Sequence, residues 1–250
     1  MGNDYIEEKG NMMDNKKNLY GRASVYGNAR VSDNASVYGN AEISDNARVY
    51  GNARVSDNAS VYGNAEVSDN AIVYGNARVS DNASVYGNAE IHGDAEVSYN
   101  ANVYGNARVS DNASVYGNAR VSDNARVYGN AEIHGDAVIY EDANVYGNAR
   151  VYGNARVYGN AEIHGDSRIG KNGIIAKTTD YIAIGPIGSR NDITTFYKGD
   201  DNIYVSCGCF NDSIDEFEVA VREKYGSEDH GVTYLKSITF ARQYLDDTNL

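Results

Sequence analysis

The sequence is poor in several residue types on which common protein classes depend. Its 250 residues include no tryptophan, one proline and two cysteines, and Lys plus Arg (22) are fewer than Asp plus Glu (35). Two cysteines cannot form a disulfide framework. Cys207 and Cys209 are only two positions apart, so a bond between them would be strained. We therefore expect reduced thiols in a cytoplasmic protein.

The shortage of positive charge also limits the possible partners. The formal net charge is -13, whereas nucleic-acid backbones and anionic membrane surfaces select lysine and arginine. No apolar run approaches the roughly 20 residues of a membrane span, and the start, MGNDYIEEKG, lacks the apolar core of a signal peptide. The sequence predicts neither a nucleic-acid nor a membrane partner.

What the sequence has in abundance is a six-residue repeat. From Leu19 to Arg168 an aliphatic residue recurs every six positions, in 25 units such as VYGNAR. Position 1 of each hexad is aliphatic and position 5 is alanine, until Ser167 breaks the rule. Positions 3 and 4 are mostly Gly-Asn, Asp-Asn or Gly-Asp, which suit a tight corner because glycine and asparagine tolerate positive φ. Period six fits no helical stripe, so each hexad is predicted to be one short strand and one corner.

Three hexads close one coil of 18 residues, and this pattern resembles the hexapeptide-repeat superfamily. The resemblance implies a left-handed parallel β-helix, and the nearest group is the YdcK-like one, to which acyltransferase activity is attributed. The match is weakest at position 2, which here is usually Tyr or Ser. We expect an all-β solenoid of about nine 18-residue coils over residues 19–180. A segment or cap (1–18) would precede it and a small α+β module (181–250) would follow.

Residues 18 apart should stack directly above one another. Position 2 then gives aromatic ladders in the later coils, which either cover the coil and supply β-propensity or form a subunit interface. Hexapeptide-repeat enzymes are commonly trimers, so the resemblance implies a homotrimer. The candidate interface residues are Tyr116, Tyr128, Tyr140, Tyr146, Tyr152 and Tyr158. At position 6 the same spacing predicts four surface ion pairs: Arg48–Glu66, Arg78–Glu96, Glu90–Arg108 and Glu132–Arg150.

Three histidines lie in the repeat, and the resemblance makes them candidates for chemistry. Acyltransferases of this superfamily use a histidine as general base with acetyl-CoA or a similar donor, and zinc enzymes of the γ carbonic anhydrase type use three as ligands. Here His92, His134 and His164 each stand in the same word, IHGD. A catalytic base should have one special environment, and no close pair of histidines could supply two zinc ligands. We predict no metal, no cofactor and no firm catalytic residue.

After Asp180 the repeat stops and mixed secondary structure is predicted. Ser213 should cap a helix with Glu216 in a capping box, and KGDDN should turn a hairpin. The predicted strands are Tyr181–Gly185, Ile193–Lys198 and Ile203–Phe210. The predicted helical faces are Phe217, Ala220, Val221 and Tyr225, then Tyr234, Leu235, Ile238, Ala241 and Leu245.

The segments GPIGSRND, TTFY and CGCF resemble a C-terminal module of uncharacterised hexapeptide proteins from bacteria and phages. Glycine backbone N–H groups, a hydroxyl and Arg190 within eight residues could cradle an anion, although a tight connection between strands explains the same residues. The candidate ligand-binding residues are Ser189, Arg190, Asp192, Tyr197, Cys207 and Cys209.

These observations favour a non-catalytic, trimeric scaffold whose C-terminal module binds a small anionic ligand or a protein. Two alternatives stay open. The first is an acyltransferase that uses acetyl-CoA or a similar donor, with a histidine as base. The second is an acidic decoy of phage origin that mimics nucleic acid, which the outward-facing arginines weaken.

Overall fold

Residues 18–247 are described by the structure, a computed structural model, and they form a rod that is closed at one end by a small sheet and two helices. The predicted N-terminal segment lies outside the described residues except for Asn18. The rod consists of 26 two-residue strands, β1–β26. Each strand up to β23 pairs in parallel with the strand 18 residues further on, as Val25 does with Ile43. This confirms the 18-residue coil and the solenoid, while its left-handedness stays a prediction.

The strands form three parallel sheets, one on each side of the rod. Sheet 1 contains β1 Ser24–Val25, β4 Glu42–Ile43, β7 Ser60–Val61, β10 Arg78–Val79, β13 Glu96–Val97, β16 Ser114–Val115, β19 Glu132–Ile133, β22 Arg150–Val151 and β25 Arg168–Ile169. Sheet 2 contains β2 Arg30–Val31, β5 Arg48–Val49, β8 Glu66–Val67, β11 Ser84–Val85, β14 Asn102–Val103, β17 Arg120–Val121, β20 Val138–Ile139, β23 Arg156–Val157 and β26 Ile174–Ile175. Sheet 3 contains β3 Ser36–Val37, β6 Arg54–Val55, β9 Ile72–Val73, β12 Glu90–Ile91, β15 Arg108–Val109, β18 Arg126–Val127, β21 Asn144–Val145 and β24 Glu162–Ile163.

The interior of the rod is filled by the residues at positions 1 and 5. From Ala35 to Ile163 all of these aliphatic and alanine side chains are 0% exposed. The aliphatic side chain fills the space behind each strand, and alanine fits where the corner leaves little room. Between residues 35 and 163 the interior positions therefore hold no titratable group.

The corners are shaped by position 3, whose residue has positive φ. Gly63 has φ 71° and Asp81 has φ 58°. Where aspartate occupies this position, its carboxylate accepts the backbone N–H of the residue 18 further on, as Asp45 does from Gly63 at 3.0 Å. Aspartate thus compensates for an unfavourable φ with a hydrogen bond between coils.

Position 4 carries a feature that the sequence analysis missed. The asparagine amides at this position donate to one another along the rod, as Asn46 does to Asn64 Oδ1 at 3.1 Å and Asn64 to Asn82 Oδ1 at 3.0 Å. Each ladder reaches an aspartate, which accepts and cannot donate; Asp94 accepts from Asn76 at 2.8 Å. The near-constant asparagine at a spacing of 18 was the available signal, because stacked identical amides form ladders in cross-β structures.

Beyond a short 3-10 turn, Thr178–Asp180, the chain forms an antiparallel sheet in the order β27-β28-β29-β30, followed by two helices. The strands are β27 Tyr181–Ile187, β28 Asp192–Lys198, β29 Ile203–Cys207 and β30 Phe210–Ser213, and the helices are α1 Ile214–Tyr225 and α2 Asp229–Asp247. This confirms the small α+β module and the turn after Lys198. In the predicted capping box, Ser213 Oγ accepts from the N–H of Glu216 at 3.2 Å. The N–H of Ser213 itself donates to Asp212, at 2.8 Å.

One predicted strand was wrong. Ile203–Phe210 is two strands, because the chain reverses at Gly208, which has φ 62°, and Cys207 pairs with Phe210. The alternation of side chains through IYVSCGCF concealed a turn that depends on one glycine. Cys207 and Cys209 therefore do not share the face of one strand.

The module caps the rod. Tyr181, Tyr197 and Tyr204 belong to the same buried cluster as the rod interior, while Phe196 and Val205 face the helices. Side chains of the module also accept backbone N–H groups that a further coil would have bound. Thr195 Oγ1 accepts the backbone N–H of Arg168 at 3.0 Å, and the Tyr181 hydroxyl accepts the backbone N–H of His164 at 3.4 Å. The sheet thus covers the last coil on the side where the repeat ends.

Candidate functional site

The predicted aromatic ladders are present. Neighbouring rings at position 2 lie nearly parallel, with interplanar angles from 5° to 26°. The ring centroids are separated by 4.9 Å for Tyr128–Tyr146, 5.4 Å for Tyr146–His164, 4.9 Å for Tyr116–His134, 5.4 Å for His134–Tyr152 and 5.0 Å for Tyr140–Tyr158. Stacked rings of this kind stabilise the later coils.

The six candidate interface tyrosines do not form one patch. They occupy three columns, one beside each sheet: Tyr116 and Tyr152 follow strands of sheet 1, Tyr140 and Tyr158 follow strands of sheet 2, and Tyr128 and Tyr146 follow strands of sheet 3. Two copies that pack face to face could therefore bury only one or two of the columns.

The outer face of sheet 2 differs from the other two faces in charge. From residue 84 to residue 176 the outward-facing residues of this sheet, at positions 6 and 2 of each hexad, include no carboxylate. Arg120 and Arg156 form no ion pair with any described residue. The residues of this face are Ser84, Tyr86, Asn102, Tyr104, Arg120, Ser122, Val138, Tyr140, Arg156, Tyr158, Ile174 and Ala176. All four predicted ion pairs form, at 2.9–3.4 Å; Arg48–Glu66 lies in the N-terminal part of sheet 2, and the other three lie on the other two faces.

The candidate ligand-binding residues divide between two sides of the capping sheet. Ser189, Arg190 and Cys207 lie on the side of the helices: Ser189 Oγ lies 2.6 Å from the Tyr225 hydroxyl, and the Arg190 guanidinium lies against the backbone at Gly208. Arg190 is exposed and forms no hydrogen bond or ion pair with another residue of the described range. These three candidates thus lie on one side of the sheet, and their binding of a ligand stays a prediction.

The other candidates serve the junction with the rod or are isolated. Tyr197 is fully buried on the rod side and donates to Asn211 Oδ1 at 2.7 Å. Asp192 lies 3.6 Å from the Arg168 guanidinium. Cys209 is exposed in the turn after β29. These three candidates lie apart from Ser189, Arg190 and Cys207, because alternate positions of a β-strand face opposite sides.

Two tyrosines of the helices complete the cluster around Ser189, and the sequence analysis assigned them only to the helix core. Tyr234 packs onto the turn at Gly188, where a Cβ would overlap its ring, and its hydroxyl lies 3.7 Å from Cys207 Sγ. Burial and the neighbouring thiol raise the pKa of Tyr234. Thr194 Oγ1 donates to the same thiol at 3.3 Å, so Cys207 is held in a hydrogen-bonded group.

The three histidines have different surroundings despite their shared word. His134 lies between Tyr116 and Tyr152, and this burial lowers the pKa of its imidazole. His92 stacks on Tyr74 at 4.8 Å. His164 is exposed at the last coil and meets Tyr181 edge-on at 6.3 Å and 74°. Only His164 thus borders a second part of the molecule.

An open cleft of about 390 Å³ lies where the last coil meets the capping sheet. It is lined by His164, Gly165, Asp166, Ser167, Thr178, Tyr181, Ile182, Ala183 and Ile193. Its polar groups come from the corner at 164–167 and its apolar wall comes from β27 and β28. Within residues 18–247, no cluster of three His, Cys, Asp or Glu side chains could hold a metal ion.

Comparison with known families supports the assignment of the rod. The family described as YdcK β-solenoid repeat matches eight segments: 23–39, 41–57, 47–63, 101–117, 113–129, 119–135, 143–159 and 149–165. The rod is a YdcK β-solenoid. The matched YdcK repeats end at residue 165, within the last coil and before the capping module. No curated protein matches the chain.

The match to YdcK repeats explains the fold of the rod and assigns no function to its surface. Neither α1 nor α2, the helices of the described part of the chain, combines the length and apolar character needed to cross a membrane. Three surface features could bind a partner. They are the tyrosine columns, the group of Ser189, Arg190 and Cys207 (the Arg190 group), and the cleft between the last coil and the capping sheet (the junction cleft).

Proposed function

We propose that this protein is a non-catalytic scaffold: a YdcK β-solenoid rod whose C-terminal module both caps the last coil and recognises a partner. The observation that carries this proposal is the unbroken register of 26 strands around an interior of aliphatic and alanine side chains. No loop interrupts the coils between Ser24 and Ile175 to form a pocket along the rod. A rigid rod with a repeated surface presents binding groups at fixed spacing.

The recognition element of this proposal is the group around Arg190. Its guanidinium is exposed, has no carboxylate partner among the described residues and rests against the backbone at Gly208, which limits its movement. Guanidinium groups bind carboxylates and phosphates through two parallel hydrogen bonds. The proposed ligand is therefore an anionic group, either free or on a partner protein.

The direct test is a titration of the ¹⁵N-labelled full chain with inorganic phosphate. The amide resonances of Gly188, Ser189 and Gly208 should shift, and Arg190→Gln should abolish these shifts. Arg54→Gln is the matched control, because Arg54 is an exposed arginine on the rod. Shifts that are unchanged in Arg190→Gln would contradict the assignment of the recognition group.

We further propose that copies of the chain associate side by side as a homotrimer through the outer face of sheet 2. This face carries the stacked pairs Tyr86–Tyr104 and Tyr140–Tyr158, and from residue 84 to residue 176 its outward strand positions lack carboxylates in a chain with a net charge of -13. Association through this part of the face brings no carboxylates of the strands together. Aromatic residues and arginine are also enriched in interfaces.

A second candidate function is acyl transfer, which the position of His164 favours. Of the three histidines of the repeat, His164 is the one that lines the junction cleft. A general base must lie within reach of a bound substrate. Against it, no lysine or arginine lines the cleft to hold the phosphates of coenzyme A. Calorimetric titration with acetyl-CoA should give no heat under the scaffold proposal, whereas binding of acetyl-CoA together with acyl transfer that is lost in His164→Ala would establish the alternative.

A further inference from the structure

The aromatic ladder of sheet 3 ends at an open ring face. His164 stacks on Tyr146 through one face, with the ring centroids 5.4 Å apart. If the repeat continued, the next ring of this ladder would lie one coil further on, against the other face of His164. The repeat stops there, and Tyr181 meets the imidazole edge-on, at 74°, instead of covering it. In contrast, both faces of His134 are covered by tyrosines. His164 is exposed, and among the described residues only Tyr146 stacks on it face to face.

The space above this corner is also empty. At Gly147 a Cβ would lie 3.0 Å from the backbone of the next coil, whereas at Gly165 it would meet nothing within 4 Å. Both glycines occupy position 3 of their hexads. The difference shows that the module covers the interior of the last coil and leaves residues 164–166 of its corner uncovered.

The walls of the cleft define the chemistry of a ligand. Ile182, Ala183 and Ile193 form an apolar side, while Asp166 supplies the carboxylate. Asp166 already accepts the Asn148 amide at 2.9 Å, which fixes its orientation. No lysine or arginine is among the lining residues. A flat apolar ring carrying a positive charge or N–H donors fits these groups, and a phosphorylated ligand does not.

We propose that the junction cleft binds a small planar aromatic amine, whose ring continues the ladder on His164 and whose amino group is held by Asp166. This site is separate from the Arg190 group, and it depends neither on the scaffold proposal nor on trimer formation. Stacked rings and a charge-assisted hydrogen bond would supply the affinity. A ligand this small should bind with a dissociation constant of roughly 1 mM or below.

The experiment uses tryptamine as the probe and the full-length protein. Because the chain has no tryptophan, the indole N–H signal in the NMR spectrum comes from the probe alone. We expect saturation transfer from protein to tryptamine, and shifts of the backbone amides of Gly165, Asp166 and Ala183. Indole-3-acetate has the same ring with the opposite charge, so it should bind at least fivefold more weakly.

The repeat supplies matched control variants. Asp166→Asn should weaken tryptamine binding by about threefold to fivefold, and His164→Ala by about threefold to tenfold. Asp136→Asn and His134→Ala change the same word, IHGD, in the middle of the rod and should leave binding unchanged. Ala183→Phe, which fills the cleft from the wall, should abolish binding without altering the ladder.

Several results would overturn the proposal. These are the absence of saturation transfer, equal binding of indole-3-acetate, and equal effects of the Asp166 and Asp136 substitutions. If His164→Ala does not fold, the Asp166 pair and Ala183→Phe still decide the question. Loss of the phosphate response in Arg190→Gln concerns a different surface, so failure of one proposal is distinguishable from failure of the other.

Discussion

At the residue scale, the repeat tolerates two solutions at each corner. Glycine adopts positive φ without cost, whereas aspartate adopts it and compensates by binding the next coil. Eight carboxylates act in this way, mostly on glycine N–H groups: Asp33, Asp45, Asp57, Asp69, Asp81, Asp111, Asp123 and Glu141. Asp123 is followed directly in its column by Glu141, whose backbone N–H it accepts. Corner composition is therefore governed by φ and by the hydrogen bond between coils.

Asp111 provides a test of this account. Its carboxylate accepts the N–H of Gly129 at 3.0 Å, and its φ is 59°. Asp111→Ala should lower the free energy of unfolding by about 1–2 kcal/mol, because alanine at positive φ is strained and the hydrogen bond is lost. Asp111→Gly should change it by less than about 0.5 kcal/mol, since relief of the strain offsets the lost bond. Urea unfolding compares the two variants, and equal losses would show that φ has no part in the effect.

At the scale of elements, the capping sheet acts as a substitute coil. Its rod-facing side chains continue the interior, and its hydroxyl groups accept N–H groups that a further coil would have bound. Tyr197 is central to this role: its ring is fully buried, and the Gly173 backbone lies directly beneath it. Because a solenoid is stabilised by contacts between neighbouring coils, damage here should be felt mainly in the last coils.

Tyr197 should also make stability depend on alkaline pH. Burial raises the pKa of its phenol above the value of about 10 in an unfolded chain. The stabilisation by the neutral phenol is therefore complete below pH 10 and is lost as the pH rises towards the higher folded-state pKa. Tyr197→Phe should cost about 1 kcal/mol at pH 8, through the lost bond to Asn211, and less at pH 11. Urea unfolding at the two pH values measures this; a constant difference would contradict it.

The elements also show which parts of the structure the sequence could predict. The coils, the buried positions and the stacking of rings such as Tyr128 and Tyr146 follow from a local pattern repeated many times, so one error could not shift the register. The turn at Gly208 and the contact of Tyr234 with Gly188 depend on single residues far apart in the chain. The candidate site was therefore predicted only in part, because strand direction and helix packing decided which residues share a side.

At the scale of the whole molecule, the distribution of charge distinguishes one face of an otherwise threefold-similar rod. The net charge of -13 resists association in general. The outer face of sheet 2 from residue 84 to residue 176 resists association less, because it carries no carboxylate. Its outward side chains are arginine, tyrosine, serine, asparagine and aliphatic residues.

The mass in solution tests the assembly. Light scattering coupled to size exclusion should give three times the chain mass of 27.1 kDa. Tyr140→Glu places a carboxylate in the face of sheet 2 and should lower the mass towards that of the monomer, because like charges then oppose each other across a desolvated surface. Tyr62→Glu is the matched control: Tyr62 is 37% exposed on the rod and lies outside the stacked pairs. If both variants keep the mass of an unmodified trimer, the interface does not lie on sheet 2. If the unmodified chain is itself monomeric, no trimer forms, and the tyrosine columns serve only to hold the coils together.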